Sequence, residues 1–269
     1  MYNDLFSIGP LTVHGYGLMI GIGVIAALLL GDYRAKKKGL DGDLIYGMTV
    51  AAVVFGFIAA RVLFIITEFK NFLKEPLRYI TGSGFVVFGG LIGGIVAVYI
   101  YCRIKKVNAI DYMDLMAPSV ALAQGFGRIG CLLAGCCYGR ETASRFGIMF
   151  LHSDFAPNGV RLIPTQIIMS AGDFAIAIIL LLLGLKLKKR GQITLIWLGL
   201  YSVGRFFVEF LRNDYRGSVG ILSTSQFIGI FVLIGVILAY IFLVPVLNKE
   251  KAVTDSVPAD ESTDIGMEE

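Results

Sequence analysis

Residues Gln124–Arg140 read QGFGRIGCLLAGCCYGR, and two incompatible folds compete for them. Within the stretch, Gly125–Gly130 fits the pattern G-x-G-x-x-G. As a dinucleotide fingerprint that pattern needs a strand before it, a helix after it and an acid about 20 residues further on. Here an apolar run of membrane-spanning length precedes it, so the dinucleotide reading fails. The glycines instead make room around Arg128 for a bulky ligand. A guanidinium does not give up its proton, and at membrane depth it needs an anionic partner or water.

The sequence on either side supports the membrane reading. Hydrophobic residues make up 56% of the 269 and charged residues 16%, far from soluble norms. Apolar runs of roughly 20 residues, enough to cross a bilayer as a helix, recur along the chain. They are continuous, whereas a transmembrane barrel alternates. The net charge of +4 comes without a basic patch interleaved with aromatics, which excludes a nucleic-acid partner. The start, MYNDLFSIGPL, lacks a basic leader, so no cleaved signal peptide is expected.

The expected fold is an all-α integral membrane protein with about seven transmembrane helices. The spans fall near Leu11–Leu30, Leu44–Ile66, Phe85–Cys102, Tyr112–Leu133, Gln166–Leu185, Ile193–Leu211 and Ile221–Leu243. Basic residues cluster tightly after the first, third, fifth and seventh spans: Arg34 to Lys38, Arg103 to Lys106, Lys186 to Arg190, and Lys249 with Lys251. The opposite loops hold fewer and sparser ones: Lys70, Lys74, Arg78, Arg140, Arg145, Arg161, Arg212 and Arg216. The bias puts the N-terminus outside and the C-terminus in the cytoplasm. Residues 1–248 then form the membrane domain, and 249–269 an acidic cytoplasmic tail too polar to fold.

Three arginines remain inside predicted spans: Arg61, Arg128 and Arg205. Such residues face cavities and mark function. Arg61 reads equally well as half of a structural pair, while an anionic phospholipid headgroup suits Arg128. Around Arg205 runs YSVGRFFVEFLR, Tyr201–Arg212. Tyr201, Arg205 and Glu209 are four apart, which stacks a phenol, a guanidinium and a carboxylate on one helical face. Glu209 can orient Arg205 while the remaining donors hold a phosphate. Cys131, Cys136 and Cys137 lack zinc-knuckle spacing and no histidine cluster completes a site, so no metal or cofactor is expected. They read first as small buried hydrophobes. Gly89, Gly90, Gly93 and Gly94 read as helix-packing positions. His14 and His152 are weighed as bases and rank below a structural role.

The chain resembles the bacterial prolipoprotein diacylglyceryl transferase family along nearly its whole length. The match is carried by FSIGPLTVHGYGLM, GGLIGG, GFGRIG, YSVGRFFVEFLR and a last span containing Gln226. The resemblance implies a multi-pass enzyme of the bacterial plasma membrane. Such an enzyme moves diacylglycerol from phosphatidylglycerol to the lipobox cysteine thiol of a preprolipoprotein, releasing glycerol phosphate. It also implies that Arg128 binds the headgroup, that Arg205 is a second essential arginine, and that Tyr16, Tyr201, Glu209, Gly139 and Gln226 help build the site. The chain departs from the family pattern where Cys131 and Cys136 replace an asparagine and a glutamate, and where Phe88 replaces a histidine held to be a base. Glu209, His14 or a cysteine beside an arginine must then take the proton, or the acceptor differs. The alternatives are a lipid transferase with another acceptor and a lipid-binding protein without catalysis.

Overall fold

The computed structural model describes residues 4–8, 11–81, 84–214 and 217–249. The tail expected at 249–269 falls outside these residues except for Lys249. An antiparallel hairpin, β1 (Asp4–Ile8) with β2 (Leu11–His14), leads into α1 (Gly15–Lys37). Next come α2 (Asp43–Thr67), the short α3 (Phe69–Phe72) and α4 (Pro76–Thr81), then α5 (Val87–Ile104) and α6 (Ala109–Ala134). A loop carrying β3 (Ile148–Met149) and β4 (Arg161–Leu162) reaches α7 (Thr165–Lys186) and α8 (Gln192–Glu209). Finally β5 (Ser218–Val219) pairs with β6 (Leu222–Ser223) ahead of α9 (Thr224–Leu238), which runs through a π-turn at Ala239–Leu243.

The architecture is mostly helical, in line with the all-α expectation, and among the described residues three short two-stranded sheets sit between the helices and at the N-terminus. The first span also starts four residues late. Leu11–His14 pair with β1 instead of coiling, as the β-branched Thr12 and Val13 favour. The other spans appear as helices within a few residues of the expected ends. Among the described residues, five helical stretches are long and apolar enough to cross a membrane: α1, α2, α5, α7 and Thr224–Lys249. The two long helices outside that set, α6 and α8, carry Arg128 and Arg205. Large apolar side chains such as Phe55 and Phe57 on α2 and Ile178 and Leu182 on α7 are exposed, as lipid-facing positions are.

The chain forms two compact units, Val24–Ser119 and Met1–Gly23 with Val120 onward. In the first, α2 and α5 meet along glycines. A Cβ on Gly89 would lie 2.6 Å from the Ala59 carbonyl oxygen, and one on Gly93 3.0 Å from that of Phe55. Small residues let the two backbones touch, which is how helices associate in lipid. Arg61 finds structural partners here: it donates to the Gly84 carbonyl at 2.7 Å and lies 5.5 and 5.3 Å from the Phe64 and Phe85 ring centres. Cys102 is sealed in a core with Ala35, Ile45, Met48, Tyr112 and Leu115. Phe88 stands exposed on α5.

In the second unit, α8 packs on α7 and α9. The loop before α7 has its own small core of Phe150, Ala156 and Leu162. It is stitched down by backbone bonds from Arg140 to Leu211 (2.8 Å), Ile163 to Arg140 (2.9 Å) and Asn213 to Tyr138 (3.2 Å).

Candidate active site

One polar stripe on α7 organises the site. Gln166, Ser170 and Asp173 recur at four- and three-residue steps, so they share a helical face, and all three are buried. Gln166 Nε2 donates to the Cys136 carbonyl at 2.8 Å and Ser170 Oγ to that of Gly125 at 2.9 Å. These bonds fix the α6 end and the loop behind it. Asp173 completes the stripe with a carboxylate oxygen 3.9 Å from Arg128 Nε. That oxygen, Oδ2, is buried and makes no hydrogen bond.

Arg128 also donates to the Tyr201 hydroxyl at 3.3 Å. It lines a cavity of about 290 Å³ together with Leu132, Gln166, Ser170 and Phe174. A smaller cavity of about 60 Å³ lies against Asp173, Tyr201, Gly204 and Arg205. Asp173 and Tyr201 thus border the second cavity while contacting the arginine of the first. Arg128, on α6, contacts this carboxylate and this phenol, and Arg205, on α8, borders the same small cavity as they do.

Arg205 is held as the spacing predicted and by one further group. Its Nη2 lies 2.9 Å from the Glu209 carboxylate and donates to Ser225 Oγ at 2.9 Å, while its buried Nη1 makes no hydrogen bond. Ser225 stands in the first turn of α9. That turn is closed by a capping box: the Gln226 amide donates to Ser223 Oγ at 3.2 Å and the Ser223 amide to Gln226 Oε1 at 3.1 Å. Gln226 Nε2 reaches the Phe206 carbonyl at 3.4 Å. Gln226 thus anchors the helix that positions Ser225.

Glu209 is shared, with Arg212 Nε 3.9 Å from it. Arg212, expected among the outer-loop charges, is buried and clamped by the Asp214 carboxylate. Gly139 bridges Arg212 in the backbone, and a Cβ there would sit 2.6 Å from the Ile163 oxygen and 2.9 Å from that of Leu211. Glycine is required by that crossing. Tyr16, in the first turn of α1, is partly exposed and packs on Gly130, whose Cβ would come within 3.2 Å of its ring. His14 and His152 are both exposed.

Sequence reading missed Asp173 and Ser225. Asp173 was accessible: it is the sole charged residue in the fifth expected span, and an intramembrane acid marks function as an arginine does. Ser225 carried no comparable signal, since its role depends on how α9 meets α8.

Helices of membrane-spanning length, with two half-buried guanidiniums each bordering a cavity, define a membrane protein that carries cations among its helices. The chain belongs to the prolipoprotein diacylglyceryl transferase family, whose profile matches residues 3–242. It is 49% identical over 232 residues to phosphatidylglycerol–prolipoprotein diacylglyceryl transferase 2 of Clostridium perfringens, covering 86% of this chain and 91% of that protein. It is 46% identical to the phosphatidylglycerol–prolipoprotein diacylglyceryl transferase of Clostridium tetani over 86% of this chain and 93% of the relative. The similarly named Clostridioides difficile protein is 33% identical over 88% and 94% of the two chains.

Proposed function

We propose that this chain transfers diacylglycerol from phosphatidylglycerol to the lipobox cysteine of preprolipoproteins. The observation that carries the reading is that Arg128 contacts Tyr201 and Asp173, which line one cavity with Arg205. Two fixed cations with donors to spare suit a phosphodiester, and they gain most as it becomes a phosphate monoester dianion on leaving. The thiol sulfur attacks the glyceryl carbon bonded to the phosphate oxygen. The carbon–sulfur bond forms as the carbon–oxygen bond breaks, and glycerol phosphate departs with the electron pair.

The thiol proton needs an acceptor. Phe88 offers none, and Glu209 is engaged by Arg205 and approached by Arg212. Asp173 keeps a buried carboxylate oxygen without a hydrogen bond 3.9 Å from Arg128 and is approached by that one arginine, whereas Glu209 is approached by two, so Asp173 takes the role of base. Arg128 and Arg205 bind the headgroup. Tyr201 holds Arg128, Glu209 and Ser225 hold Arg205, and Gln226 acts through Ser225. Gly139 keeps the outer loop against Arg212, and Tyr16 closes the Gly130 side.

The enzyme is a multi-pass protein of the bacterial plasma membrane, partnered by lipid and the lipobox segment and by no nucleic acid. Residues 1–248 form its membrane domain, with 249–269 an acidic cytoplasmic extension. It has seven spans, N-terminus outside. Helices α6 and α8, ~39 and ~27 Å long at ~1.5 Å per residue, are the two polar spans, because they carry the cations. The test is incubation of the purified chain with phosphatidylglycerol vesicles and a lipobox peptide, read by mass. A diacylglyceryl gain on the peptide cysteine, lost in Arg128→Ala, is expected. Lipid binding with no mass gain points to the non-catalytic reading, and full activity in Arg128→Ala ends the site assignment.

A further inference from the structure

The loop after α6 gathers three thiols that the transfer reaction does not use. Cys131, Cys136 and Cys137 place their sulfurs within 4.8 Å of one another, with Cys136 and Cys137 Sγ 3.7 Å apart. Chain spacing hides this grouping, and the helix ending explains it. Gly135 is left-handed, with φ +73°; its amide bonds the Leu132 carbonyl at 3.2 Å and the Cys136 amide bonds that of Cys131 at 3.1 Å. That is the Schellman ending, which sets the residue two past the helix against the one five before it. Here both positions are cysteine. Cys137 then adopts φ +62°, unusual for a side-chain-bearing residue, and its sulfur joins the other two.

The cluster is held from outside. Thr165 Oγ1 donates to the Cys137 carbonyl at 2.7 Å and Gln166 Nε2 to that of Cys136. Strained backbone persists where its surroundings over-determine it, and it concentrates at functional sites. Among the described residues, no histidine or carboxylate completes the group. Three sulfurs alone suit a soft cation that accepts three ligands. An ion ~2.3 Å from each sulfur in a trigonal plane sets the sulfurs roughly 4 Å apart, close to the separation here. Zinc asks for a fourth ligand, whereas Cu(I) is selected by thiolates.

We propose that Cys131, Cys136 and Cys137 form a three-thiolate site for a single Cu(I)-class cation. Binding displaces the three thiol protons and leaves the oxidation state of metal and sulfur unchanged. The resulting negative charge is offset by Arg128, one helical turn before Cys131. Because Gln166 braces this loop and also lines the Arg128 cavity, an occupied site stiffens one wall of the lipid pocket.

The test uses the full chain, purified anaerobically in detergent and titrated with Cu(I) delivered from bicinchoninate. One Cu(I) per chain, with a sulfur-only shell of three by X-ray absorption, is expected for the wild type and for Cys102→Ser. Cys131→Ser, Cys136→Ser and Cys137→Ser should each lose it. Should a serine variant misfold, thiol alkylation of the wild type asks the same question, with protection of the three cysteines by Cu(I) expected. Equal copper in the triple serine variant, equal labelling with and without copper, or a site that takes Zn²⁺ and refuses Cu(I) overturns the proposal. These readouts stand whether or not the chain transfers lipid.

Discussion

Arg128 Nη2 donates to the Tyr201 hydroxyl at 3.3 Å, and Tyr201 lies one turn before Arg205 on the same face of α8. The phenol thus ties Arg128 to the helix face that carries Arg205. Removing it in Tyr201→Phe preserves the ring and its packing but lets Arg128 swing. A hydrogen bond to a charged group contributes about 1.5–3 kcal/mol, so transfer to a lipobox peptide should slow roughly ten- to a hundredfold. A wild-type rate would remove Tyr201 from the reaction.

Charge alone is insufficient at either arginine. Lysine keeps the charge and loses the planar fork that grips two phosphate oxygens. Arg128→Lys and Arg205→Lys should each lose on the order of a hundred- to a thousandfold in kcat, the scale of losing a donor aimed at developing charge. Arg205→Lys should fall further because Ser225 and Glu209 are then left competing for one ammonium. The reading is single-turnover transfer at saturating phosphatidylglycerol, and a change confined to KM would show that the arginine only binds.

How far these features could be read in advance follows from which forces set them. The long helices and their order come from continuous apolar runs of roughly 20 residues, so they stood out. So did the Tyr201–Arg205–Glu209 face, since four-residue spacing on a helix is a local fact. The hairpin over Asp4–His14 was missed because Leu11–His14 are apolar enough to pass for a span, and only pairing with β1 reveals the strand. Arg212 was placed in an outer loop, and a position outside a span says nothing of Asp214 and Glu209 closing on it. The thiol cluster depends on one left-handed glycine. The contact that it creates between Cys131 and Cys136 follows from the cap geometry and is not written in chain spacing.

Asp173 gives the sharpest test of the chemistry. Asparagine there keeps the size and hydrogen-bonding capacity and cannot take a proton. If Asp173 is the base, Asp173→Asn should lower kcat by about a hundred- to ten-thousandfold with little effect on KM for lipid. The pH profile separates this from a structural effect. A base works only when unprotonated, so the fall in wild-type rate on acidification belongs to it and should vanish in residual Asp173→Asn activity. Asp173→Glu should recover part of the rate. A surviving acid limb in Asp173→Asn assigns the proton to another group.

Gly139 separates packing from chemistry. Its missing Cβ is demanded by the Ile163 and Leu211 carbonyl oxygens at 2.6 and 2.9 Å, which are backbone and cannot rotate aside. Gly139→Ala must open the crossing where Arg140 bonds Leu211 and Asn213 bonds Tyr138, loosening the strand of chain that carries Arg212. Overpacking of this kind costs about 1–3 kcal/mol, and the thermal midpoint in detergent should drop accordingly. Gly21 on α1 provides the contrast, since its Cβ would meet nothing within 4 Å. Gly21→Ala should hold or raise the midpoint, because alanine is the better helix former by up to about 1 kcal/mol. If the two variants melt together, the crossing at Gly139 is not under the constraint described.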